Sequence, residues 1–89
     1  MIMYLHLGQG MVVPKGDIIG IFDMENCTSS RHTRKFLSLC EDAGEVVDLS
    51  TDLPRVFALC ADSEGTETVY LSQLSSQTLL KRWEHNEIE

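Results

Sequence analysis

Apolar and polar residues alternate at the start of the chain. Met3, Leu5 and Leu7 fall on one side, Tyr4 and His6 on the other, a period of two that predicts a half-buried strand. Gly8-Gln9-Gly10 predicts a tight turn, and Met11-Val12-Val13 should return as the second arm of a hairpin. Pro14 has no N–H to donate and ends that ladder. Ile18-Ile19-Gly20-Ile21-Phe22 is a continuous apolar run, the pattern of a central strand covered on both sides. Gly20 in its middle marks a bulge or a close backbone approach. The three segments are expected to form one antiparallel meander.

The spacing then turns helical. Thr28-Ser29-Ser30 supplies N-cap residues, and Thr33, Phe36, Leu37, Cys40 and Ala43 recur at three- and four-residue steps, predicting a helix over 29–43. Gly44 stands where a left-handed C-cap belongs. Val46-Val47 predicts a short strand. Arg55–Cys60 and Glu67–Leu71 predict two more, joined by the polar loop Asp62-Ser63-Glu64-Gly65. Leu74 and Leu79 bracket Ser75 as a hydrophobic staple brackets an N-cap, so a last, short helix should span 76–83. The expected fold class is α+β, a small antiparallel sheet with one long helix and one short C-terminal helix. Residues 1–83 make a single domain, and 84–89 an acidic tail that frays.

Composition changes this picture in two ways. At 89 residues the core is thin, so an apolar edge or face should be buried between copies, and a homo-oligomer is expected. The formal net charge is −7, with seven Lys and Arg against fourteen Asp and Glu, which argues against a large uniform polyanion-binding surface and confines any nucleic-acid contact to a local basic patch. There is no membrane-length apolar run and no leader pattern, and Cys27, Cys40 and Cys60 are an odd, widely spaced set without disulfide arithmetic. These features predict a reduced, cytoplasmic protein with no membrane association.

Candidate chemistry is sparse. His6, His32 and His85 pair with no cysteine at a metal-binding spacing, Cys27 and His32 being a weak exception, so no metal is expected. Gly8-Gln9-Gly10 lacks the Lys-Ser/Thr of a phosphate loop and leads into a strand, and no Ser sits in a nucleophile elbow. Neither a cofactor nor enzymatic activity is expected. What asks for a reason is the placing of the cations. Arg31, Arg34 and Lys35 crowd the start of the long helix while Glu41 and Asp42 occupy its end, opposite to what the macrodipole favours. A solvated face, with acids such as Glu25 compensating, accounts for them structurally; an anionic partner accounts for them functionally. Lys81 and Arg82 end the last helix, where the dipole welcomes them. Arg55 follows Pro54 at the end of the Ser50–Pro54 loop, a place for a phosphate contact or an ordinary strand end.

The segments Tyr4-Leu5-His6-Leu7-Gly8, Val12-Val13-Pro14 and Asp17-Ile18-Ile19-Gly20-Ile21-Phe22-Asp23 resemble the N-terminal signature of the RemB-like extracellular matrix regulators. Leu71-Ser72-Gln73-Leu74-Ser75-Ser76-Gln77-Thr78-Leu79-Leu80-Lys81-Arg82 resembles that family's closing segment. The resemblance implies a bacterial regulator of biofilm-matrix genes. It also implies kinship with RemA-like proteins that bind DNA as ring-like oligomers on a LytTR-like subunit, using arginines of the loop before a late strand. In this chain that loop is Ser50–Arg55, with one arginine. The expected nucleic-acid contacts are then Arg55 first, Arg31, Arg34 and Lys35 next, and Lys81 and Arg82 last. The expected partners are further copies of the chain, DNA, and a related matrix regulator. A protein–protein assembly module or co-regulator that binds no DNA remains the alternative, favoured by the acidic balance.

Overall fold

The computed structural model describes residues 3–24 and 31–85. Strands β1 (Tyr4–Gly8) and β2 (Met11–Pro14) form the expected hairpin, pairing Leu5 with Val13 and His6 with Val12. Its turn needs three successive left-handed residues, Gly8, Gln9 and Gly10 at φ 114°, 52° and 76°, and glycine supplies two of them without strain. Leu5 and Leu7 point inward and are fully buried.

The meander does not form. A 3₁₀ turn over Lys15–Asp17 follows Pro14 and leads the chain away from the hairpin, so β3 (Ile18–Asp23) joins a second sheet. That sheet has four strands in the order β3-β5-β6-β4, where β4 is Val46–Asp48, β5 Val56–Ala61 and β6 Glu67–Ser72. It is mixed, because β4 runs parallel to β6 while the other pairs are antiparallel. The continuous apolar run of β3 therefore belongs to an outer strand, and Ile19 is 61% exposed. The predicted irregularity is present, with the register against β5 shifting between Ile18 and Gly20. Gly20 is also required for packing, since a Cβ there would lie 2.8 Å from the Phe22 ring, which stacks on Phe57 at 4.9 Å.

The strand covered on both sides is β5. Val56, Ala58 and Cys60 face the hairpin and the last helix, meeting Leu5, Leu7, Val13, Leu49 and Leu79. Phe57 faces the opposite way, into a cluster with Cys40, Val69, Leu37 and Leu59. Helix α1 (Arg31–Asp42) covers this second face. Among the described side chains of its predicted stripe, Cys40 is buried and Leu37 half-buried, while Phe36 and Ala43 are exposed. The helix ends as expected. Gly44 at φ 73° lets Glu45 N–H reach the Cys40 carbonyl at 2.9 Å and Gly44 N–H reach Glu41 at 3.0 Å, a Schellman closure. The N-cap cluster Thr28-Ser29-Ser30, Cys27 and Glu25 lie outside the described residues, as does the tail beyond His85. Helix α2 (Ser76–His85) runs through His85, two residues past the predicted end. Its Leu79 is fully buried against the first face. The fold is α+β, with two sheets in place of one.

Both described cysteines are free, buried and lodged among apolar side chains. Burial pushes the Cys60 thiol up to about 11, with the Asp17 carboxylate adding to it. Burial also raises Cys40, with Glu45 and Glu67 adding. A thiol held that high stays protonated at neutral pH, and the thiolate is the reactive form. Mass spectrometry after alkylation should find Cys40 and Cys60 unlabelled in the native protein and labelled in denaturant. Replacing all three cysteines with alanine should keep the fold at a cost of ~1–3 kcal/mol. Rapid native labelling of Cys60 would contradict its placement.

Candidate nucleic-acid interface

The loop from Leu49 to Arg55 is built by polar contacts at its turns. Asp48 Oδ1 accepts from the Ser50 amide at 2.9 Å and from the Ser50 hydroxyl at 2.5 Å. Those bonds, the hydroxyl first and the amide second, hold the Asp48 carboxyl below the usual carboxylate range. The clamp is thus in place at neutral pH and is lost only as acid protonates Asp48. One residue on, Gln73 Oε1 accepts from the Thr51 amide at 2.8 Å and the Thr51 hydroxyl at 3.0 Å. The loop closes where Arg55 N–H donates to the Ser72 carbonyl at 2.8 Å. Pro54, with its fixed φ, precedes Arg55 and narrows the backbone freedom there.

The start of α2 lies next to this closure. Ser75 is its N-cap: its Oγ accepts from Thr78 N–H at 3.1 Å and shares a 2.9 Å hydrogen bond with the Thr78 hydroxyl. Leu74 and Leu79 both pack on the first core cluster, which is the staple the sequence predicts. Arg55, Ser75, Ser76, Gln77 and Asp23 together line a recess of about 170 Å³. Ser76 Oγ donates to Asp23 Oδ2 across it at 3.5 Å. An arginine in the lining and the positive end of a helix dipole suit an anionic oxygen, and the Asp23 carboxylate offsets part of that field.

The other predicted cations are not gathered here. Arg31, Arg34 and Lys35 are exposed on α1, over the opposite face of the larger sheet, in a helix with no acidic residue in its first turn and no basic residue in its last. Lys81 is exposed on α2. Arg82 is engaged inward: its Nη1 lies 3.1 Å from His6 Nδ1 and donates to the His6 carbonyl at 3.3 Å. Beside it Lys15 Nζ donates to the Trp83 carbonyl at 2.5 Å and sits 4.8 Å from the centre of the Trp83 ring. These contacts clasp the C-terminal half of α2 to the hairpin and its following turn. The role the dipole suggests for Arg82 is joined by a tertiary one.

Sequence reasoning found Arg55 and the Ser75 cap but missed Asp23, Ser76 and Gln77 as their neighbours. Asp23 comes near Arg55 because β3 pairs with β5, aligning Asp23 with Val56. The signal was available as the two ends of the matched segments, but the strand pairing needed to join them was misread. Among the described residues no group of three or more His, Cys, Asp or Glu is placed to hold a metal ion, and no helix is long and apolar enough to cross a membrane.

The family model for RemA-like proteins, described as extracellular matrix regulatory protein A-like, matches residues 4–83. The chain is 35% identical over 80 residues to Extracellular matrix regulatory protein B of Bacillus subtilis (strain 168), across 90% of this chain and 89% of that protein.

The Ser75 cap holds the α2 side of the recess, so Ser75→Ala should destabilise the protein by about 1 kcal/mol. Urea unfolding should show the loss as a lower midpoint at unchanged slope. An unchanged midpoint would remove Ser75 from that role.

Proposed function

Because the chain belongs to the RemA-like family of extracellular matrix regulators, we propose that it is a bacterial transcription regulator of biofilm-matrix genes. In this reading it works in the cytoplasm and binds DNA as a homo-oligomer built from LytTR-like subunits. The observation that carries the proposal is Arg55, exposed and lining a recess beside the start of α2, with its backbone N–H on the Ser72 carbonyl. A phosphate there meets a guanidinium on a fixed loop and the amide end of a helix. Arg31, Arg34, Lys35 and Lys81, all exposed, are secondary contacts, and Arg82 follows them because His6 already occupies it.

One such contact on a chain of net charge −7 is weak. Repetition of the subunit supplies avidity without new contacts. Support for self-assembly comes from the open β3 edge and the apolar surface beside it. Ile18, Ile19, Ile21, Leu80 and Trp83 line a mainly apolar groove of about 490 Å³ that shares Ser76 and Gln77 with the recess, and Leu80 is 58% exposed. An uncovered edge of this kind invites pairing. The second reading is a protein–protein assembly module or co-regulator, partnered with a related matrix regulator. The Asp23 carboxylate inside the recess and the acidic balance favour it.

Gel-shift titrations on AT-rich promoter DNA at two salt concentrations separate the two readings. The first expects binding that weakens steeply with salt. Arg55→Ala should weaken it uniformly across sequences and lower the slope of log affinity against log salt by about 1 for each arginine engaged. Its mass and melting temperature should stay near wild type. Absence of binding at low salt would give the second reading the lead. Light scattering at micromolar concentration should return a mass several times the 10.0 kDa of one chain, and a monomer would refute assembly.

A further inference from the structure

The groove beside β3 has a shape that its lining residues define. Ile18, Ile19, Gly20 and Ile21 are consecutive, and consecutive residues of a strand point to opposite faces of a sheet. A groove that touches all four runs along the edge of β3, where the backbone itself is presented. β3 ends the four-stranded sheet and pairs with β5 alone among the described strands. The opposite wall is a stripe of α2, with Gln77, Leu80 and Trp83 at three-residue steps and Ser76 beside the first. Ile19 and Leu80 are exposed, so both walls offer apolar surface. The two ends differ. At one, Lys15 Nζ is engaged by the Trp83 carbonyl and lies 4.8 Å from the centre of its ring. At the other, Ser76 and Gln77 pass into the recess that Asp23 and the exposed Arg55 line. The register against β5 shifts between Ile18 and Gly20, so the regular part of β3, from Gly20 to Asp23, leads to the Arg55 end.

An unpaired strand edge takes another strand, apolar walls take its side chains, and a cation at one end takes a carboxylate. Ser76 to Trp83 rises about 10 Å along α2, the length of roughly three residues of strand at ~3.3 Å each. We propose that this groove binds the C-terminal segment of a partner protein, about four extended and mainly apolar residues that add to β3 and place their terminal carboxylate on Arg55. With its terminus at Arg55 the segment runs parallel to β3, as β4 already does to β6. A second copy can pair with the same edge but brings no free carboxylate to it. The sheet's other end strand, β4, closes on Asp48, whose Oδ1 is taken by the Ser50 amide and hydroxyl. Asp23 opposes the incoming carboxylate, so Arg55 has to outweigh it. Such binding needs no DNA, and neither does its test.

Trp83 is the chain's one tryptophan and lines the groove, so its emission reports occupancy directly. The probes, titrated into the full chain, are acetyl-Thr-Val-Thr-Val-Ile with a free carboxylate, its C-terminal amide, and the acid form N-methylated throughout. The acid should shift the emission saturably. The amide should bind about threefold to tenfold more weakly, the range for one charge-assisted contact at an exposed site. The N-methylated acid should bind weakest, because it keeps the charge and the apolar side chains but has no N–H to pair with the edge. Arg55→Ala should bring the acid down to the level of the amide, Asp23→Asn should tighten the acid alone, and Leu80→Glu should weaken every peptide. Circular dichroism checks that each variant is folded, and the comparison of acid with amide needs no variant at all. A flat titration would overturn the proposal. So would equal binding of acid and amide, or of the acid and its N-methylated form. A flat titration together with a lower mass for Leu80→Glu in light scattering would give the groove to a second copy instead.

Discussion

Ser72 is where the parts of this molecule are tied together. Its side chain is buried, and its hydroxyl donates to the Leu7 carbonyl at 2.6 Å while accepting from Leu74 N–H at 3.1 Å. Its own carbonyl accepts from Arg55 N–H. The hairpin, the entry to α2 and the start of β5 therefore meet at one residue at the end of β6. A buried hydroxyl is tolerated because its donor and an acceptor site are both used, and leaving the Leu7 carbonyl without a partner would cost about 1–3 kcal/mol. The recess around Arg55 is built on this junction, so its geometry follows from the core and is not a feature of the surface alone.

The second constraint is the double burial of β5. A strand that packs on both faces needs cover on both, and the described residues offer two long helices and a hairpin to provide it. The hairpin and α2 take one face, with Leu5, Leu7, Val13 and Leu79 supplying most of the apolar surface. Helix α1 takes the other with little more than Leu37 and Cys40. No described element covers the outer side of β3, and Ile19, Leu80 and Trp83 are exposed there. The groove lies open because the described helices and hairpin are engaged on the faces of the sheet and none covers its β3 edge.

Much of this was legible in the sequence, and the failures share one cause. Local signals identified every described strand, the Gly44 closure, the Ser75 cap and the inward side of β1, because periodicity and capping are properties of neighbouring residues. Pairing partners were not legible. The apolar run of β3 reads alike for a central strand and for an outer strand with an uncovered edge, since exposure of Ile19 is decided by what the rest of the chain leaves over. The parallel pairing of β4 with β6 was likewise invisible in Val46-Val47. Arg55 could be singled out by its place after Pro54, whereas Asp23 and Ser76 could not be set beside it without the β3–β5 register. The sequence ranks the cations of α1 and α2 separately but cannot say which share a face, and the sheet between the helices divides them.

That division bears on how an acidic chain could hold a polyanion. With Arg31, Arg34 and Lys35 over one face, Lys81 on a helix over the other and Arg82 turned toward His6, no broad cationic face forms from these residues. Arg55 is left as the cation that lines the recess, and Asp23 reduces its field. Long-range attraction is then small, because exposed charges beyond about 10 Å are screened at moderate salt and the net charge is repulsive. If DNA is the partner, a single copy gains little from approach and must rely on short-range contacts made after docking. Such contacts reward repetition, since each added copy places another Arg55 at a fixed spacing and the entropy of association is spent once. An acidic exterior would then suppress binding by isolated subunits while permitting it in an assembly. The same charge that argues against DNA binding by one chain is compatible with binding that waits for oligomer formation.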